Sequence, residues 1–340
     1  MIPGMTLNRK YLPILVTVSL FVLLYGAASV AYPDFLSFRV FYNLLIDNSY
    51  LGIIAIGETF VILSGGIDLS VASVIAMTSM ISAVLLEHAH WSPAVVIPIV
   101  LAAGSTLGLI MGSLIHFFKT PPFITTLGGL YLSRGVCFLM SIDSITINNT
   151  FYRTVAETRI HLIGGFVSVN VLIFVAVIIL AIILAHYTKF GRVVYAIGGN
   201  EQSAVLMGLP VGRTKVLVYT LSGFSSALAG VVFTFYILSG YGLHVDGMEL
   251  SAIAATVMGG TLLTGGVGYV FGTVFGTLIL GTINAIIVFQ GTLSSWWTRI
   301  AIGVLMFIFI AFQTLLAGRE EVRKSAAPPK AQAEGARLQQ

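Results

Sequence analysis

A succession of apolar runs, each about as long as a membrane-spanning helix, constrains this chain more than any other feature. They fall near 11–31, 44–64, 71–86, 94–118, 121–141, 166–186, 215–238, 249–264, 268–290 and 297–317. Backbone in hydrocarbon must satisfy its own hydrogen bonds, so runs of this length form helices. The expectation is an all-α polytopic integral membrane protein of about ten transmembrane helices, some short or broken. Composition agrees, with 57% of the 340 residues hydrophobic, 9% charged and a mean hydropathy of +0.99. No stretch remains for a soluble catalytic domain. The first run follows Asn8, Arg9 and Lys10 without a small-residue cleavage site, so it reads as a retained span rather than a signal peptide. The runs 71–86 and 249–264 are short enough to be tilted, broken or re-entrant.

Lysine and arginine set the orientation. Arg9, Lys10, Lys119, Lys189, Arg192, Arg213, Lys215, Arg319, Arg323 and Lys324 all fall on one side of an even-span arrangement, against Arg39, Arg153 and Arg159 on the other. Both termini are therefore expected in the cytoplasm. The chain divides into a cytoplasmic N-terminus, 1–10, a transmembrane domain, 11–317, with a basic inner loop at 187–215, and a tail, 318–340. The tail is polar and Ala/Pro-rich, which predicts disorder. The external segment from Ile142 to Gly165 is either a plain connector or long enough to meet a soluble partner. Cys137 is the single cysteine, which excludes an intrachain disulfide and a Cys-based metal cluster. The net charge of +4 is too scattered to imply nucleic acid. No metal and no cofactor are expected.

Within the apolar runs the segment "FVILSGGIDLSVAS", Phe60 to Ser73, breaks into glycines, an aspartate and serines. Asp68 and Ser70 can punctuate the helix by capping the next one, or line a water-filled route, and the two readings are compatible. Glu58 and Arg134 lie deeper, where an unshielded charge would cost several kcal/mol, so each should face protein or water. By rise per residue they sit toward opposite faces, which argues against a direct pair. Ser64, Asn43, Asp47, Asn48, Thr59, Thr125, Thr126 and Asn284 add hydroxyls, amides and a carboxylate that suit a polyol better than a bare ion. Two glycine stripes, Gly104, Gly108, Gly112 and Gly268, Gly272, Gly276, predict close helix packing. Each follows a glycine-rich break, as in a duplicated fold.

The inner loop "YTKFGRVVYAIGGNEQSAVLMGLPVGRTK", Tyr187 to Lys215, contains a self-contained helix. Asn200 caps it, Gly208 takes the left-handed end and Pro210 prevents continuation. Its small and apolar residues, Ala204, Val205, Gly208 and Leu209, present a docking face. The sequence has no P-loop motif, so it has no nucleotide site of that kind, and it lacks the H-E-x-x-H and G-x-S-x-G patterns.

The segments "FVILSGGIDLSVAS", "PPFITTLGGLYLSRG", "FGRVVYAIGGNEQSAVLMGLPV" and "ELSAIAATVMGGTLLTGGVGYVFGT" resemble permease subunits of bacterial ATP-binding-cassette importers for ribose, xylose and related sugars, a branch of the branched-chain-amino-acid-type permeases. "GTLSSWWTRIAIGVLMFIFIA" extends the likeness to a permease of the galactofuranose importer, in which two different permeases pair. The resemblance implies a type II-like permease in the bacterial inner membrane, among lipid. Its partners would be a second, different permease, an ATPase subunit and a periplasmic sugar-binding protein. It implies that ATP hydrolysis belongs to the partner, and that Gly198, Gly199, Asn200, Glu201, Ala204 and Gly208 form the coupling segment. Ala72 stands where the family usually has glycine, and Ser251 where many members have aspartate, while Glu249 is retained as an acidic position on the route. The competing expectation is an ion-coupled secondary transporter or channel with Glu58 or Asp68 as its protonatable group. An intramembrane enzyme is weaker still, since no nucleophile and base pair can be named.

Overall fold

Each apolar run holds a helix. The computed structural model describes residues 12–292, 294 and 296–325, so the 1–10 segment and the tail beyond 325 lie outside the described residues. Its helices are α1 (Leu12–Ala31), α2 (Phe38–Asp47), α3 (Ser49–Leu63), α4 (Val71–Ala83), α5 (Pro93–Phe117), α6 (Pro122–Met140) and α7 (Thr150–Glu157). There follow α8 (Val169–Tyr187), α9 (Lys189–Gly199), α10 (Glu201–Leu206), α11 (Val211–Ile237), α12 (Met248–Met258), α13 (Val270–Gln290) and α14 (Trp296–Ser325). Seven are long and apolar enough to cross a membrane, counting α4 with its π-helical turn Val84–His88, and the bent pair α2–α3 makes an eighth. Two of the expected ten spans, at α12 and the Trp296–Ala311 part of α14, are shorter apolar helices below that length.

The expected run 44–64 is not one straight helix. It bends by 55° between α2 and α3. Asn48 leaves helical geometry there, and its amide donates back to the Leu44 carbonyl at 2.8 Å, completing α2 before α3 starts. The run 71–86, by contrast, continues through the π turn as one span-length segment. Gly259 and Gly260, the latter at φ +88°, end α12 well before residue 264. At the far end α14 runs past the expected 317 to Ser325, since "REEVRKS" consists mostly of good helix formers.

The central element is α3, buried at every position from Leu51 to Leu63. It packs against α8, α11, α12 and α13. The first glycine stripe lies on α5 and faces α11: a Cβ at Gly104 would meet Ala227 at 2.6 Å, and one at Gly112 would meet the Val216 backbone at 3.0 Å. Gly272 and Gly276 face the Gly259 and Ala255 backbones of α12. Gly268 precedes α13 and sits in the break, at φ +159°. The two stripes are thus not in equivalent places, since one is on the helix directly after its break and the other is one helix later. Each break stands between two helices, α3 and α4 in one case and α12 and α13 in the other.

Residues 142–165, expected as a connector or docking loop, are organised. β1 (Ile145–Thr146) pairs with β4 (Ser239–Gly240), and β2 (Arg159–Leu162) with β3 (Gly165–Ser168), both antiparallel. A carboxylate from the π turn, Glu87, accepts from the Asn148 and Asn149 backbone N–H groups at 2.8 and 3.0 Å and holds the start of α7. Tyr152 on α7 is fully buried.

Candidate functional site

Polar and glycine residues gather at three places: a backbone junction beside α9 and α10, a buried polar knot, and a cavity at the opposite ends of α3, α12 and α13.

Three glycine pairs meet at the junction. Gly65-Gly66 follows α3, Gly198-Gly199 closes α9, and Gly265-Gly266 lies in the break after α12. The Gly266 N–H donates to the Leu63 carbonyl at 2.9 Å. A Cβ on Gly265 would lie 2.9 Å from the Gly65 nitrogen and 3.0 Å from the Gly198 Cα, and one on Gly266 would lie 2.6 Å from the Gly199 nitrogen. A Cβ on Gly198 would run into the Leu63 carbonyl and the Gly266 nitrogen. Gly65, Gly265 and Gly266 also have positive φ, at +81°, +86° and +73°. The Tyr195 hydroxyl of α9 adds a hydrogen bond to the Gly268 carbonyl at 2.7 Å. Both breaks therefore rest against the end of α9.

α10 leaves directly from this junction. Asn200 caps it, accepting from the Ser203 N–H at 2.8 Å, and Gly208 takes φ +73° beyond its end. Glu201 pairs with Lys215 at 2.7 Å and ties α10 to α11. The expected docking face needs correcting. Ala204 is fully buried among Val193, Ile197 and Val211, because α10 packs this face on α9 and α11. The outward apolar residues are Val205, Leu206 and Met207, with Leu206 at 88% exposure. Sequence reading also missed α9, whose Thr188 caps it by accepting from the Gly191 N–H at 3.2 Å. That Thr-x-x-Gly start and the apolar spacing of Phe190, Val193, Val194 and Ile197 were the available signals.

The polar knot fills the first break. Asp68 accepts from the Ser70 N–H at 2.9 Å, the Ser70 hydroxyl at 2.6 Å and the Ser222 hydroxyl of α11 at 2.7 Å. The Asp68 N–H donates to Glu58 Oε1 at 3.1 Å. Both carboxylates are fully buried, and Glu58 Oε2 has no hydrogen-bond partner among the described residues. Asp68 thus holds the turn and binds it to α11, and the Ser70 hydroxyl serves Asp68 rather than capping α4. Thr59 shares a 2.7 Å hydroxyl contact with Thr273 of α13, and the Thr126 hydroxyl reaches the Ile67 carbonyl at 3.3 Å. Ser64 donates to the Val61 carbonyl at 2.8 Å, and Thr125 sits half-buried at the start of α6 with its hydroxyl 2.7 Å from that of Thr120.

Arg134 takes backbone partners. Its guanidinium donates to the Gly242 carbonyl and, at 2.8 Å, to the His244 carbonyl, with Asp246 at 3.5 Å. It clamps the loop between α11 and α12, far along the chain from Glu58. Burial, and then the Arg134 charge, hold His244 below the usual imidazole range. Arg134→Leu would leave two carbonyls unpaired, and a loss of about 2–4 kcal/mol is expected. Thermal unfolding of the purified protein in detergent checks this, and an unchanged midpoint would contradict it.

The cavity, about 450 Å³, lies between the α2–α3 bend, the start of α12, α13 and the start of α14. Asp47, Asn48, Ser251, Asn284, Thr298 and Arg299 are among its lining residues. Of the polar residues expected to suit a polyol, Asp47, Asn48 and Asn284 reach it. Glu58, Thr59, Ser64, Asp68, Ser70, Thr126 and Arg134 are buried elsewhere, and Glu249 stands half-buried in the first turn of α12. Ser251 lines it where Glu249 does not.

Comparison with known proteins places this geometry in context. The family model for the branched-chain amino acid transport system permease component matches residues 40–310. The inner membrane ABC transporter permease protein YjfF of Escherichia coli strain K12 is 49% identical over 94% of this chain and 96% of its own length. The fructose import permease protein FruG of Bifidobacterium longum is 36% identical over 91% and 93%, and the ribose import permease protein RbsC of Bacillus subtilis 37% over 83% and 87%. No solved structure matches the chain.

Proposed function

Since this chain belongs to the branched-chain amino acid transport permease family, we propose that it is the permease subunit of an ATP-binding-cassette importer that carries a monosaccharide across a bacterial inner membrane. It is not itself an enzyme. ATP is hydrolysed by a partner subunit that docks on α10 on the cytoplasmic side, and the lysine and arginine distribution supports cytoplasmic termini as well. A periplasmic sugar-binding protein delivers substrate at the opposite end, onto the loops organised by α7 and the β2–β3 hairpin, and a second, different permease completes the route. Galactofuranose is the sugar favoured by the resemblance in the C-terminal spans. The ion-coupled alternative gains no support from relatives named as ABC transporter and sugar import permeases.

The observation that carries this reading is the junction of Gly198-Gly199 with both breaks. A short helix moved by a partner can shift these breaks directly, because nothing but backbone lies between them. Uphill import needs that input, since the sequence has no P-loop. Uptake of labelled galactofuranose, galactose, ribose and fructose should be compared in cells with and without the gene. Loss of uptake of at least one of them on deletion is expected, and unchanged uptake of all four would contradict the reading.

A further inference from the structure

The cavity opposite α10 takes no part in the polar knot, yet its lining has a consistent chemistry. At about 450 Å³ it falls within the range of small-molecule sites. Asn284 stands six residues before the end of α13, so the cavity runs roughly 9 Å along that helix as an open cleft in which Asp47, Asn284 and Arg299 are all exposed. The Tyr236 hydroxyl donates to one Asp47 oxygen at 3.1 Å, and the other has no partner among the described residues. The Arg299 guanidinium lies 4.8 Å from the Trp296 ring centroid, which steadies it, and makes no ion pair among the described residues. Carboxylate, amide and guanidinium groups are planar and can each engage two neighbouring hydroxyls. Tyr50, Leu51, Leu280 and Met306 supply the apolar wall against which the C–H face of a sugar ring packs.

We infer that this cavity is a subsite, contained within this one chain, for a neutral polyhydroxylated ring. It rests on the sugar-permease reading and adds where the sugar pauses. An alkyl chain would offer no hydrogen-bond partner to the second Asp47 oxygen or to the guanidinium. The position also links occupancy to power: two of its walls, α12 and α13, flank the break whose Gly265 and Gly266 touch Gly198 and Gly199. Movement of that break moves the walls.

The test places one thiol in the cavity by Ser251→Cys, with the buried native Cys137 as a silent background. The assembled importer in proteoliposomes is exposed to a membrane-impermeant maleimide from the side opposite the ATPase. The added thiol should react, and D-galactose, D-fructose or D-ribose at millimolar concentration should slow it about fivefold, a slowing absent for Ala89→Cys in the exposed turn between the π turn and α5. In parallel, Asn284→Leu should raise KM about tenfold with Vmax and ATPase assembly maintained. A thiol that does not react, one that reacts without slowing by any of the three sugars, or an unchanged KM would overturn the subsite. If ATP-driven uptake persists in that case, the permease reading stands and only the subsite falls.

Discussion

Gly198→Val is expected to lower ATP-driven uptake about 100-fold while the protein remains in the membrane, equivalent to about 2.7 kcal/mol of lost coupling. Even a single Cβ there meets the Leu63 carbonyl and the Gly266 nitrogen, and backbone atoms cannot rotate aside as a side chain could. To accept it, α9 must withdraw from both breaks, which separates α10 from the elements that it is proposed to move. The neighbouring position supplies the control. A Cβ on Gly199 meets nothing within 4 Å, so Gly199→Ala should leave uptake within about twofold of normal. Comparable loss in both variants, or in neither, would dissociate transport from the junction.

Leu206→Glu should prevent ATPase co-purification, with an affinity loss of about 100-fold or more, the scale of a central interface residue. Leu206 is 88% exposed, so the change removes no packing within this chain and its membrane level should be normal. Val205 and Met207 flank it at 57% and 66%, completing an apolar patch on a short capped helix. Ala204 makes a poor probe because it is fully buried on the inner face of α10, and a charge there would dislodge the helix whatever docks on it. Normal co-purification of Leu206→Glu would remove α10 from the interface.

The helices were legible because membrane-length apolar runs leave the backbone no alternative. Capped α10 was legible for a local reason, since Asn200, Gly208 and Pro210 each act on their immediate neighbours. What escaped depended on distant contacts. Which face of α10 looks outward is decided by Val193, Ile197 and Val211, and no local pattern within six residues can reveal that. The 55° bend at Asn48 hides in a run that is apolar on both sides. Asp68 was recognisable as an anomaly, but its partner Ser222 lies 154 residues away on α11, and only folding shows that this carboxylate is satisfied by protein. The cavity was legible only in part: Asp47, Asn48 and Asn284 stood out as polar groups at apolar runs, but they, Ser251 and Arg299 come from separate elements, and only folding gathers them.

The central claim is that a partner's ATP hydrolysis, transmitted through α10 and the glycine junction, powers movement of substrate through this chain. Sugar uptake into proteoliposomes holding the complete importer, with ATP on the α10 side or with an imposed proton or sodium gradient and no ATP, tests it most directly. The account predicts accumulation with ATP alone and none with either gradient. Accumulation driven by a gradient without ATP would contradict it.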